Sequence, residues 1–374
     1  MDRTQNTIIN IQILRFFAAF WVVFYHSKFF YAPDTGFLEL PKFLKHVQAA
    51  GFVGVDIFFV ISGAIMALTT HQLKNSLHNS LKFATIRFSR IYTGWWPLFI
   101  LYGLSAIIDN QTQSIWFFSS LLLLPTQLPN YIVPILWTLS FELYFYLFIT
   151  ILILFPGKWR NSLIGIAFIS ITIFTIWSLT QGYFTPARQA ETWPFQGFLL
   201  SPLILEFIGG FLLYEWFQRG NLKRSLPWAI SAAIFFLVAV VYQINIAAPQ
   251  GIHLEGFFAG PARALLVGGF AFSLVAFSMT SKSWVGKSGS VLGQLGDASY
   301  AIYLSHILIM KIMAQILPNL GWPGKWQVPT IFILLISVLI FSTLYHKKIE
   351  LPFYQWARKQ IDMFFHSFSS NLQK

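Results

Sequence analysis

The chain contains no cysteine. That excludes disulfides, thiolate metal sites, iron–sulfur clusters and a cysteine acyl-enzyme. Charge is scarce as well. Only 10% of the residues are charged, against about 25% in an average soluble domain. No HExxH, P-loop or dinucleotide-type glycine pattern occurs, so neither a metal site nor a tightly bound cofactor is expected. The net charge of +12 would suit nucleic acid. In a chain this apolar it fits basic loops against anionic lipid instead, and no nucleic-acid partner is expected.

What the chain has in abundance is hydrophobic sequence, 56% of 374 residues. It comes in blocks long enough to cross a bilayer, which takes about 17–25 residues. The pattern predicts an all-α, polytopic membrane bundle of about ten transmembrane helices, over 8–30, 50–70, 91–108, 131–155, 162–180, 197–216, 227–247, 262–280, 296–316 and 328–346. The first block is too long for a removable signal peptide and reads as a retained span. The apolar run "IWFFSSLLLLP" at 115–125 is short and reads as a re-entrant or interfacial segment. No repeat is visible. Residues 1–346 read as one membrane domain, followed by a short amphipathic tail at 347–374.

The basic residues orient the bundle. With the N-terminus inside, every inner segment is basic, whereas the outer loops carry only Lys42, Lys45, Arg188 and Lys325. Both termini are therefore expected in the cytoplasm. Arg15, Lys28, Arg263 and Lys311 lie within or beside spans.

Ionisable residues inside a membrane usually face a cavity or a partner. In the first span Arg15 and His26 bound the apolar run "RFFAAFWVVFYH". Eleven residues is close to three helical turns, so the two share a face, about 16 Å apart along the axis. The plainer reading is that Arg15 snorkels and His26 borders the headgroups. The second span, "GFVGVDIFFVISGAIM", holds Asp56 and the close-packing pair Ser62–Gly63; Asp56 either serves a site or pairs with Lys28. "RFSRIYTGWWP" places Arg87 and Arg90 on one side of a turn, just before a span. Paired planar guanidiniums suit phosphate, or they anchor the loop. Glu142 in "LWTLSFELYFY", beside Trp137, and Glu206 in "LEFIGG" lie within spans and are candidates to pair with Arg15 or Arg263. Ser299, Tyr303 and His306 form a polar stripe at i, i+4 and i+7, with His306 either functional or a satisfied structural histidine.

In order, Arg-x10-His, "GVDIFFVISG", Arg-x-x-Arg, "WTLSFE", "EFIGG", "SYAIYLSH" and "ELP" at 350–352 resemble the membrane-bound acyltransferase-3 family. Its members include exopolysaccharide and lipopolysaccharide O-acetyltransferases of the bacterial cytoplasmic (inner) membrane. The likeness is to the stand-alone type, which lacks the extracytoplasmic hydrolase-like domain of some relatives. One departure is local: the family's early proline, R-I-x-P, is displaced, with Thr93 and Gly94 intervening before Pro97.

The resemblance implies acetyl-CoA as co-substrate and a polysaccharide or lipid-linked saccharide hydroxyl as acceptor, with membrane lipids and polysaccharide-biosynthesis proteins as further partners. On that reading Arg15, Arg87 and Arg90 bind the donor. His26 is the general base, since a neutral imidazole with a pKa near 6.5 can take a hydroxyl proton. Asp56 or Glu142 would orient it as in a triad. Ser62, Trp137, Glu206, Arg263, Tyr303 and His306 are further pocket candidates. The competing class is a proton-coupled transporter or flippase for a glycan or lipid-linked sugar.

Overall fold

The computed structural model describes residues 3–29, 40–109, 117–182, 195–250, 253–254, 260–282, 287–321 and 327–371. In chain order the helices are α1 (Arg3–His26), α2 (Lys42–Ala49), α3 (Val53–Thr70), α4 (Leu77–Ile108), α5 (Phe117–Leu122), α6 (Leu136–Ile153), α7 (Gly157–Thr180), α8 (Ile204–Gln218), α9 (Leu226–Tyr242), α10 (Gly260–Thr280), α11 (Lys287–Asp297), α12 (Ser299–Asn319), α13 (Gln327–Tyr345) and α14 (Leu351–Asn371). Among the described residues no strand occurs. Among the described residues, ten helical stretches are long and apolar enough to cross a membrane. The protein is a multi-pass membrane protein.

The outside of the bundle is as apolar as the inside. On α7, Ile166, Ile169, Ile173 and Ile176 are exposed at helical spacing, and on α9 Ile230, Ile234, Leu237 and Val241 repeat the pattern. Such stripes are stable only against hydrocarbon, where each helix satisfies its own backbone hydrogen bonds. With no hydrophobic drive between helices in lipid, close approach at small residues decides the packing. The α3–α8 crossing shows this. A Cβ on Gly63 would lie 1.9 Å from the Phe207 carbonyl oxygen, and one on Gly210 would lie 1.9 Å from that of Val60. The glycines of "VISG" and "FIGG" are thus the contact itself. Gly296 does the same for α11 on α1, where a Cβ would meet the Gln12 carbonyl oxygen at 1.9 Å.

Several expectations need correction. Arg87 and Arg90 are already helical: they lie in α4, which begins at Leu77 with Ser76 capping the Asn79 N–H at 3.1 Å. The "YTGWWP" stretch is therefore continuous helix. Gly94 is needed there because a Cβ would strike the Tyr300 ring at 2.4 Å. The 115–125 run agrees with its reading as a segment that does not cross: its described part holds the six-residue α5, too short to span. It is held to α4 by Trp95 Nε1 on the Ser120 carbonyl (2.8 Å) and Tyr92 Oη on that of Leu122 (2.8 Å). Residues after 346 continue as helix packed on the bundle. A π-helical turn, His346–Glu350, joins α13 to α14, and α14 packs on α4 through Lys82–Asp362 (2.7 Å). Asp56 pairs with Arg263, not Lys28, whose ammonium lies over Tyr25 at 3.8 Å. Lys42–Ala49 and Lys287–Asp297 are helices that the apolar-block reading passed over.

Candidate active site

Five helices converge on one internal cavity of about 190 Å³. Each contributes one face at helical spacing. α3 supplies Val55, Phe58, Phe59 and Ser62; α4 supplies Arg87 and Arg90; α6 supplies Thr138, Glu142 and Tyr146; α12 supplies Ser299, Tyr300 and Tyr303; α1 supplies Arg15. Three arginines thus border a cavity with one carboxylate on its wall. Glu142 accepts hydrogen bonds from Tyr146 Oη and, at 3.3 Å, from Ser62 Oγ.

The arginines are held differently. Arg90 donates to Glu350 at 2.5 Å, and Glu350 is fully buried. The other Glu350 oxygen faces His346 Nδ1 at 3.0 Å, and the guanidinium sits between the rings of Tyr300 (5.5 Å) and Tyr354 (5.3 Å). Arg87 and Arg15 hydrogen-bond neutral groups, Thr69 Oγ1 at 2.8 Å and Gln12 Oε1 at 3.1 Å. With Arg90 balanced by Glu350, the cavity retains an excess of positive charge, which a low-dielectric site offers to an anion.

The cavity wall leads to a histidine pair. Tyr303 borders the cavity, and its backbone carbonyl lies 2.6 Å from His306 Nδ1. Across the helix interface, His306 Nε2 lies 3.1 Å from His26 Nδ1, which is also 3.0 Å from the Val22 carbonyl. The partners dictate the protons. A carbonyl only accepts, so His306 carries its proton on Nδ1 and presents the Nε2 lone pair. His26 then donates from Nδ1, so in the neutral ring Nε2 is the unprotonated nitrogen.

A second polar cluster lies apart from the cavity wall. Asp56, fully buried, binds Arg263 through both oxygens, to Nε at 2.8 Å and to Nη2 at 2.8 Å. Phe52 and Trp137 cover the guanidinium at 5.2 and 5.9 Å. Glu206 is buried beside the pair. Arg263 opens a π-helical turn, Arg263–Val267, a local distortion common at functional sites. None of Asp56, Trp137, Glu206 and Arg263 lines the cavity.

The predicted residues therefore divide into three groups. Arg15, Ser62, Arg87, Arg90, Glu142 and Tyr303 come together on the cavity; His26 and His306 pair beside it; Asp56, Trp137, Glu206 and Arg263 form a separate buried cluster. The expected carboxylate on His26 is corrected. Its Nδ1 is held by His306 and a backbone carbonyl, while Asp56 is committed to Arg263 and Glu142 to Tyr146 and Ser62. Glu350, Tyr300 and Tyr146 are further site residues, outside the candidates that the sequence offers. Glu350 had a signal, an acid at the end of an apolar block in "ELP". Among the described residues no three His, Asp or Glu side chains converge as a metal site requires.

Comparison with known proteins decides the family. The model described as an acyltransferase domain, Acyl_transf_3, matches residues 8–346. The chain belongs to the acyltransferase-3 family. The exopolysaccharide production protein ExoZ of Rhizobium meliloti (strain 1021) is 26% identical over 324 residues, 84% of this chain and 92% of that protein. The acyltransferase MdmB of Streptomyces mycarofaciens is 24% identical over 366 residues, 91% of this chain and 89% of that protein. No solved structure matches the chain significantly. As an acyltransferase-3 protein it is a membrane O-acyltransferase, and the cavity and histidine pair are its candidate active site.

Proposed function

We propose that the protein transfers an acetyl group from acetyl-CoA to a hydroxyl of an exported or cell-surface polysaccharide, or of its lipid-linked precursor, in the bacterial cytoplasmic membrane. The observation that carries the donor side is the three arginines, Arg15, Arg87 and Arg90, on one cavity. Coenzyme A is a cytoplasmic polyphosphate, and the basic inner segments support a topology with both termini on that side. The cavity is smaller than the ~300–1,000 Å³ that encloses a drug-sized ligand. It suits a thin chain, with the nucleotide held at its mouth. The acceptor side is supported by likeness to an exopolysaccharide production protein.

In this reading the acceptor hydroxyl meets His26 Nε2. The hydroxyl oxygen attacks the thioester carbonyl, and its proton passes to His26. His306 Nε2, accepting from His26 Nδ1, fixes the ring and favours the imidazolium that forms. Collapse of the tetrahedral adduct breaks the carbon–sulfur bond, and the proton goes from His26 to the departing thiolate. Arg15 and Arg87 hold the phosphates, while Glu350 fixes Arg90 beside them. The test is purified protein in lipid nanodiscs with acetyl-CoA. Thiol release that depends on added glycan, with acetyl found on the glycan, is the expected result. Glycan translocation without thiol release would overturn the reading.

A further inference from the structure

Most polar side chains on the cavity wall are occupied by the protein itself. Tyr146 and Ser62 serve Glu142, Thr138 and Tyr303 share a hydrogen bond at 2.8 Å, and Tyr300 donates to the Ile91 carbonyl at 2.9 Å. Ser299 differs. It borders the cavity, is fully buried, and its Oγ has no hydrogen-bond partner among the described residues. A buried hydroxyl left unpaired is costly to the empty protein, and native structures rarely keep one without a use. A ligand that brings a polar atom to it removes that cost.

The position of Ser299 identifies the ligand group. The next residue, Tyr300, faces the Arg90 guanidinium, and His306 follows seven residues later, about 10 Å along the helix axis at 1.5 Å per residue. Arg15 stands about 16 Å from His26 on the same scale. Ser299 therefore falls between Arg15 and the site of chemistry, next to the residue that faces Arg90. In an acyl-CoA the segment between the phosphates and the thioester is the pantetheine arm, which carries amides. We propose that Ser299 is a donor-binding residue whose hydroxyl hydrogen-bonds an amide of that arm. The residue thereby favours pantetheine thioesters over simple acyl thioesters. This rests on the donor reading given above.

The test measures binding of CoA and of 3′,5′-ADP, which lacks the arm, to wild type and Ser299→Ala in nanodiscs, with thermal unfolding of the ligand-free proteins. Loss of one neutral hydrogen bond predicts CoA affinity about 3- to 10-fold weaker. Affinity for 3′,5′-ADP should be unchanged, and the ligand-free variant should be no less stable, since it loses an unsatisfied hydroxyl. Equal loss for both ligands, or a lower unfolding temperature, makes Ser299 structural and overturns the proposal. Unchanged CoA affinity overturns it too. If wild type itself fails to bind CoA, the donor reading falls and takes this inference with it.

Discussion

His26 Nδ1 and His306 Nε2 lie 3.1 Å apart, although 280 residues separate them in the chain. The contact ties the first membrane helix to the ninth at the level where the proposed chemistry occurs, and it fixes which nitrogen of His26 is basic. His306 touches the base rather than the substrate, so it is a positioning residue. His306→Ala should lower kcat about 10- to 100-fold, less than loss of the base itself, with donor affinity within about twofold of wild type. A fall in donor affinity with kcat preserved would place His306 in donor binding instead.

Glu350 is expected to act through Arg90. Glu350→Gln weakens the buried ion pair that holds the guanidinium beside the phosphates, and the lost positioning should lower donor affinity about tenfold, near 1.4 kcal/mol. The diagnostic is the double variant. Glu350→Gln added to Arg90→Gln should cost little more than Arg90→Gln alone, because the two form one unit. Additive losses in a donor-titration cycle would separate them.

Asp56 and Arg263 predict a stability effect. Asp56→Asn removes the carboxylate that binds two nitrogens of a guanidinium only 2% exposed. Breaking such a buried pair costs about 3–5 kcal/mol. Replacing both residues with apolar ones should recover much of that, as measured by thermal unfolding in detergent. If Asp56→Asn unfolds like wild type yet is inactive, Asp56 belongs to the chemistry after all.

The α3–α8 crossing predicts that alanine is too large at Gly63 and Gly210, since each new Cβ would meet a backbone oxygen at 1.9 Å, which no rotamer relieves. Gly63→Ala and Gly210→Ala should sharply reduce the yield of folded protein from membranes. Gly165→Ala, with nothing within 4 Å of its Cβ position, is the control and should be neutral or stabilising. Equal yields for all three would refute the close crossing.

The spans were legible because hydrocarbon demands long apolar runs, and composition alone reveals them. The cavity side chains were legible where one helix carried a repeated polar face, as with Arg87 and Arg90 or Ser299 and Tyr303, with His306 beside the cavity on the same stripe. Partner choice was not. Asp56 finds Arg263 207 residues away, and no local pattern separates that pairing from one with Lys28. His26 had two carboxylates to choose from by depth, and the fold gave it a histidine. Glu350 was hidden by the apparent end of a span, which the helix crosses through a π-helical turn that turns the acid inward.

The most direct test of the account separates donor binding from chemistry along α1. CoA affinity and acetyl transfer should be measured in parallel for His26→Gln, for Arg15→Gln with Arg87→Gln, and for wild type, all in nanodiscs. His26→Gln should bind CoA within about twofold of wild type and lose transfer by about 10²–10⁴-fold. The paired arginine variant should lose CoA affinity by at least tenfold. A His26→Gln protein that acetylates at near wild-type rate, or an arginine variant that binds CoA normally, would contradict the account.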